Sequence, residues 1–318
     1  MSSKAAKGRA CGKFILLGEH FVVPSDSSPE AVPALAFPLR DLYCEVKLMP
    51  DSHPHYTANI PGGIDREMVE NLMARATYAA ADSFRVDIAS QPFRVESSTN
   101  FPVSRGLGSS ASFSVALARA FDEYRRTLVL EGATWEELMR GSLAVERIFH
   151  GRPSGVDSAV ILSNCAIRFE AGSIQRELRN KAADFVIVDG GERDDCASLV
   201  GQVVDFRQRH AEQWSRMAGV MKQLVDACET ALSAGDAETV ARTVRESQGI
   251  LAELGLSTSS IDALLGKARD AGALAGKVSG AGGGGAVVLI TRPHEGQRVA
   301  QKLSEAGCKV LAIDKAGI

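Results

Sequence analysis

At 318 residues the chain is long enough for about two domains of ordinary size, each burying its own core, so disulfide or metal staples are not needed to hold it together. Apolar residues at 45% and charged residues at 24% exclude a disordered chain, and a formal net charge of −3 without a long basic block gives no electrostatic reason to bind nucleic acid. No apolar run approaches ~18 residues, and six scattered cysteines form no C-x-x-C pair or zinc spacing. The expectation is a cytoplasmic protein with free thiols and a small-molecule partner, with no nucleic acid and no membrane.

In chain order, strands are predicted at residues 12–17, 41–48 and 91–97, and their short connections predict antiparallel pairing. Helical periodicity covers 66–81 and is strong at 110–127 and 135–149. A short helix and a strand at 165–169 follow. A break near Gly172 divides the chain into domains 1–172 and 173–318. The second contains a strand at 185–188, a long helical stretch over about 195–232, two more helices through 270, and then strand, loop, strand, helix and strand between 277 and 313. This mixed order argues for an α+β fold over a doubly wound sheet.

Four segments carry chemistry. Pro102-Val103-Ser104-Arg105-Gly106-Leu107-Gly108-Ser109-Ser110-Ala111 runs into an amphipathic helix. Its glycines allow a tight loop of inward backbone N–H groups, its serines can cap the helix, and such a helix start is an anion site suited to phosphate. A serine hydroxyl can also face a magnesium ion bridging phosphates. The dinucleotide fingerprint is the rival reading, but it needs a strand running straight into the first glycine, and Pro102 interrupts the entry.

In Lys277-Val278-Ser279-Gly280-Ala281-Gly282-Gly283-Gly284-Gly285-Ala286, five glycines serve close backbone approach or a flexible linker, and linkers seldom sit so tightly between apolar strands. In the stretch from Glu146 to Asp157, Glu146 and His150 share a helix face, Gly151 ends the helix, and Pro153-Ser154-Gly155 turns Asp157 back toward Glu146. Paired carboxylates near a phosphate loop suit one magnesium ligand and one group that orients or deprotonates a hydroxyl, although each alone reads equally as a solvated helix residue. In the strand from Gly12, Lys13 and Glu19 share one parity, and a lysine among apolar residues needs a partner, faces a cleft, or protects a sheet edge.

Together and in this order, the four segments resemble the family that contains galactokinase, homoserine kinase, mevalonate kinase and phosphomevalonate kinase, known as the GHMP kinases. Residues 12–23 and 146–157 look like its mevalonate kinase branch. The resemblance implies an N-terminal ATP-binding domain like the second domain of ribosomal protein S5, a ferredoxin-like C-terminal domain, and an active site in the groove between them. It implies Asp157 and Lys13 as catalytic residues, Ser110 and Glu146 as magnesium ligands, and residues 104–110 as the triphosphate loop. Glu19, His20, Ser154, Gly280 and Ala281 fall on the substrate side. ATP and Mg2+ are the implied cofactors, and mevalonate the alcohol phosphorylated, at its C5 hydroxyl. Related kinases of phosphomevalonate or a sugar, and a non-catalytic binding protein on the same fold, are the alternatives. The oligomeric state stays open, a homodimer included.

Three departures stand out. Ser104 and Arg105 occupy the Gly-Ala positions of the phosphate loop, residues 24–30 form a longer polar segment than the family's turn, and Cys196 falls where a threonine is usual.

Overall fold

The computed structural model describes residues 5–23, 32–61, 65–128, 130–191 and 196–317. The polar segment at 24–30 lies outside them. The chain forms two compact units that are discontinuous in sequence: Met1–Lys13 with Pro38–Val103 and Gly108–Asn164, and Phe14–Phe37 with Ser104–Leu107 and Cys165–Ile318. The sequence predicts one cut after Gly172. The division instead falls within long strands, a feature that no linker composition marks.

The first unit contains most of β1 (Ala6–Leu17) and β2 (Ala34–Pro50), then β3 (His55–Asn59), α1 (Arg66–Ser83), β4 (Phe93–Thr99), α2 (Ser109–Thr127), α3 (Trp135–His150) and α4 (Val156–Ser163). β2 pairs antiparallel with β4, from Cys44↔Thr99 to Pro50↔Phe93. The pairing of β2 with β4 is antiparallel as expected, and β4 also pairs parallel with β3, a strand outside the predicted set. The five residues of β3 are mostly exposed and show no apolar alternation, so they give no strand signal, and α1 is the crossover that a parallel pair needs. α1 starts at Asp65, whose carboxylate accepts from the Glu67 and Met68 N–H groups. α3 starts on a capping box between Thr134 and Glu137. The buried face of α2 carries Phe121 between Phe84 and Phe93, with ring centroids 6.2 and 6.0 Å away.

The second unit adds β5 (Ile167–Glu170), β6 (Ser173–Glu177), β7 (Asp184–Asp189), α5 (Cys196–Arg209), α6 (Ala211–Ala234), α7 (Ala237–Glu253), α8 (Ser259–Ala271), β8 (Ala275–Val278), β9 (Ala286–Thr291), α9 (Gly296–Glu305) and β10 (Val310–Asp314). Its four-stranded sheet has the order β10-β7-β9-β8 with antiparallel neighbours, the ferredoxin-like arrangement of a βαββαβ chain. β9 is buried along its whole length because both faces are covered, hence its unbroken apolar run. Phe14, Phe37 and Phe185 meet at centroid distances of 5.0 to 5.2 Å in the core of this unit. The single long helix expected over 195–232 is two helices, broken at His210, because the apolar period continues across the break and conceals it. Trp214 is a packing residue, stacked on Phe21 at 4.3 Å, whereas Trp135 is exposed.

Cys11, Cys44, Cys165, Cys228 and Cys308 are free thiols. Among the described residues no helix is long and apolar enough to cross a membrane.

Candidate active site

In the first unit the site is built around Lys13. Its side chain is nearly fully buried on β1, where an unpaired ammonium would be costly, and its Nζ lies 2.9 Å from the Asp157 carboxylate. Asp157 sits in the first turn of α4, where the exposed backbone amides favour a negative charge, and it retains 28% side-chain exposure. A reactant can therefore reach it. Ser154 shapes the approach to this turn, its Oγ accepting from the Val156 N–H at 3.4 Å.

Gly108 precedes α2 with a φ of +73° and makes no side-chain cap, so the serines expected to cap this helix instead lie within its first turn. The glycine is required by space as well as by conformation. A Cβ at this position would stand 2.7 Å from Cγ of Lys13 and 2.8 Å from its Cε. The close approach of the loop to the lysine stem thus depends on the missing side chain.

Glu146 projects from α3 and is buried. Its carboxyl is pushed up to about 8, first by burial and then by the nearby charge of Asp157, against the pull of Ser110, Ser114 and Lys13. Ser114 Oγ donates to Glu146 Oε1 at 3.3 Å. Ser110 Oγ, which also bonds Glu146, lies 2.9 Å from His150 Nε2. His150 shares the helix face of Glu146, and that i, i+4 spacing is the sequence signal for its place beside Ser110. A buried carboxyl raised in this way needs a further cation to ionise fully near neutrality. Carboxylate and hydroxyl oxygens are the hard donors that magnesium prefers, so the residues fit the ion. No group of three or more His, Cys, Asp or Glu side chains able to hold a metal occurs among the described residues.

In the second unit a second lysine is central. Lys277 is fully buried on β8, with its ammonium paired to Glu19 and donating to the Val278 carbonyl at 2.7 Å. Gln248 supports the strand by accepting from the Val278 N–H at 3.0 Å and donating to Ser257 Oγ, also at 3.0 Å. β1 ends at Leu17, so strand parity does not govern Glu19. In the sequence Lys277 stands out only as the first residue of the glycine segment. The signal was available, since a lysine in an apolar strand needs a partner there as much as at Lys13.

His20 adopts a left-handed φ of 64°. Its imidazole is pushed down to about 4 by burial and then by the Lys277 charge, against hydrogen bonds with the Ala281 and Gly280 backbone, so it is neutral at physiological pH. Two predicted segments meet in this unit. Ser279 Oγ donates to the Gly106 carbonyl at 3.4 Å, and a Cβ on Gly280 would lie 3.0 Å from Gly106 Cα. Leu107 is buried and anchors the loop by its side chain, and Arg105 turns to Asp189 and Gly191, away from open solvent.

The structure therefore gathers Lys13, Gly108, Ser109, Ser110, Glu146, Ser154 and Asp157 in one unit. Glu19, His20, Ser104, Arg105, Gly106, Leu107, Gly280 and Ala281 belong to the other.

The chain matches the family described as GHMP kinases N terminal domain over residues 71–164 and GHMP kinases C terminal over residues 226–308. It is a member of the GHMP kinase family, and so an ATP-using small-molecule kinase. Among its relatives is the mevalonate kinase of Thermococcus gammatolerans, 30% identical over 231 residues that cover 70% of this chain and 67% of the relative. The mevalonate kinase of Aeropyrum pernix is 26% identical over 316 residues, covering 97% and 95%. In fold the chain is similar to the crystal structure of L. major mevalonate kinase in complex with R-mevalonate, with a TM-score of 0.82 at 23% identity, covering 99% of this chain and 98% of the other.

Proposed function

We propose that the chain transfers the γ-phosphoryl group of ATP to the C5 hydroxyl of mevalonate, releasing ADP and 5-phosphomevalonate. The observation that carries this reading is the Lys13–Asp157 pair at 2.9 Å, within the same unit as Glu146 and the start of α2. The names of the relatives point to mevalonate as the acceptor.

Asp157 accepts a hydrogen bond from the attacking hydroxyl and takes its proton as the new oxygen–phosphorus bond forms and the bond to ADP breaks. Lys13 holds the carboxylate in place and offsets charge on the transferring group. In a loose transition state such positioning and charge stabilisation do most of the work. Backbone N–H groups where residues 104–110 enter α2 receive phosphate oxygens. Glu146 and Ser110 would hold Mg2+, which when bound neutralises phosphate charge and aligns the nucleotide. Glu19, His20, Ser154, Gly280 and Ala281 are assigned to the acceptor side, with neutral His20 serving as a hydrogen-bonding group.

A phosphorylated acceptor would call for spare cations. Arg105 is engaged by Asp189 and Gly191 and so is not a spare cation for such a group, which favours an unphosphorylated alcohol. The test is ADP release from MgATP with mevalonate, phosphomevalonate, galactose and homoserine. Turnover on mevalonate alone is expected, with Asp157→Asn lowering kcat by about 10²–10⁴. Turnover on another acceptor, or a fully active Asp157→Asn enzyme, would overturn the assignment.

A further inference from the structure

We propose that Arg105 is a positioning residue which ties the phosphate loop to the end of β7 and so sets the affinity for ATP without touching phosphate itself. This rests on the nucleotide-binding reading above and deepens it, because the residue is one at which the chain departs from the family's Gly-Ala pattern.

The observations are independent and all lie within the second unit. The Arg105 guanidinium donates to the Gly191 carbonyl, and its buried Nε faces Asp189 Oδ1 at 3.5 Å. The Arg105 carbonyl accepts from the Ala286 N–H at 2.8 Å, so backbone and side chain of one residue hold β9 and the β7 end together. That end is itself fixed. The Gly191 N–H donates to Asp189 Oδ1 at 3.1 Å, the Gly190 N–H to the Gly285 carbonyl at 2.6 Å, and the Gly285 N–H to the Gly191 carbonyl at 3.2 Å. Arg105 therefore plugs into a hydrogen-bonded corner. The approach is close enough that a Cβ on Gly285 would stand 2.9 Å from the Arg105 carbonyl oxygen.

The loop has reason to need an outside hold. Ser104 adopts a φ of +58°, a left-handed conformation that glycine takes freely and serine does not. A sequence that replaces glycine with serine there, and places a long cation next to it, biases the backbone away from the turn and supplies an anchor that restores it. The guanidinium's charge is meanwhile spent on Asp189, which also lies 3.6 Å from the Lys309 ammonium, so Arg105 presents little free charge to a nucleotide.

The test combines steady-state kinetics with direct binding of a fluorescent ATP analogue, using the full chain. Arg105→Ala is expected to raise the ATP KM and the analogue's Kd about tenfold, with kcat and the acceptor KM within about threefold, the loss corresponding to one charged hydrogen bond. Arg105→Lys should recover part of the affinity. Asp189→Asn should reproduce the loss, and the double variant should bind no worse than either single one. Unchanged binding in a folded Arg105→Ala protein would overturn the proposal. So would an Asp189→Asn protein that binds ATP as well as, or better than, the parent, because a freed arginine would then be acting on phosphate directly. A parent chain that fails to bind the analogue at all would instead refute the nucleotide site, and so the two failures are distinguishable.

Discussion

Two lysine–carboxylate pairs, one in each unit, are made from the same chemistry and placed in different environments. Lys13 and Lys277 are both buried on strands, yet Asp157 keeps 28% of its side chain exposed while Glu19 keeps 3%. A carboxylate left partly open can exchange its water for a substrate hydroxyl. One that is closed off holds its lysine and the strand that carries it. Residue type alone thus says little about role; solvent access to one partner separates the pair whose carboxylate is open to a reactant from the pair whose carboxylate is shut away from water.

The sharpest way to break this comparison is to remove each lysine in turn. Lys277→Met removes the ammonium that faces the buried Glu19 carboxylate and should cost about 3–5 kcal/mol of stability, read by denaturant titration. Lys13→Met should instead be seen chiefly in kcat, with a smaller stability loss because Asp157 can be hydrated. Equal destabilisation by both would erase the distinction.

Opposite pH slopes sharpen it further. For His20 the folded state binds a proton less readily than the unfolded chain, so its contribution is complete above about 6.5 and is lost as pH falls through about 4. The loss is on the order of 3 kcal/mol, and His20→Gln should flatten that acid limb. Glu146 runs the other way. In metal-free protein its contribution is complete below 4.5 and is lost as pH rises through about 8, by a few kcal/mol, and Glu146→Gln should remove that alkaline limb. Chemical denaturation across pH 4–8 with each variant reads both limbs, and a slope unchanged by the matching variant would refute its assignment. The smallest effect belongs far from either pair. Thr134→Ala removes the α3 capping box and should cost about 1 kcal/mol with kcat unaltered, as a melting curve and a rate measurement would show.

Much of this organisation was legible in the chain itself. The 3.6-residue period located α1, α2 and α3 to within a residue or two, because each buries one face. The apolar surroundings of Lys13 announced that it needs a partner or a cleft, and the turn at Pro153-Ser154-Gly155 announced that Asp157 returns toward Glu146. β3 and β6 gave no such signal, since short, mostly exposed strands need no apolar face and are held by backbone pairing with a neighbour. The break at His210 was hidden for the opposite reason, because buried positions recur on both sides of it.

Local pattern therefore determined which segments are helices, which loops suit phosphate, and which charged residues need partners, since each follows from neighbours close in sequence. Which partner each charge received was decided only by tertiary structure. Lys277 and Glu19 are separated by 258 positions and Arg105 and Gly191 by 86, and no periodicity reaches that far. Burial decided the rest, because the proton affinities of Glu146 and His20 depend on how much water the folded chain removes and on which charges it brings near.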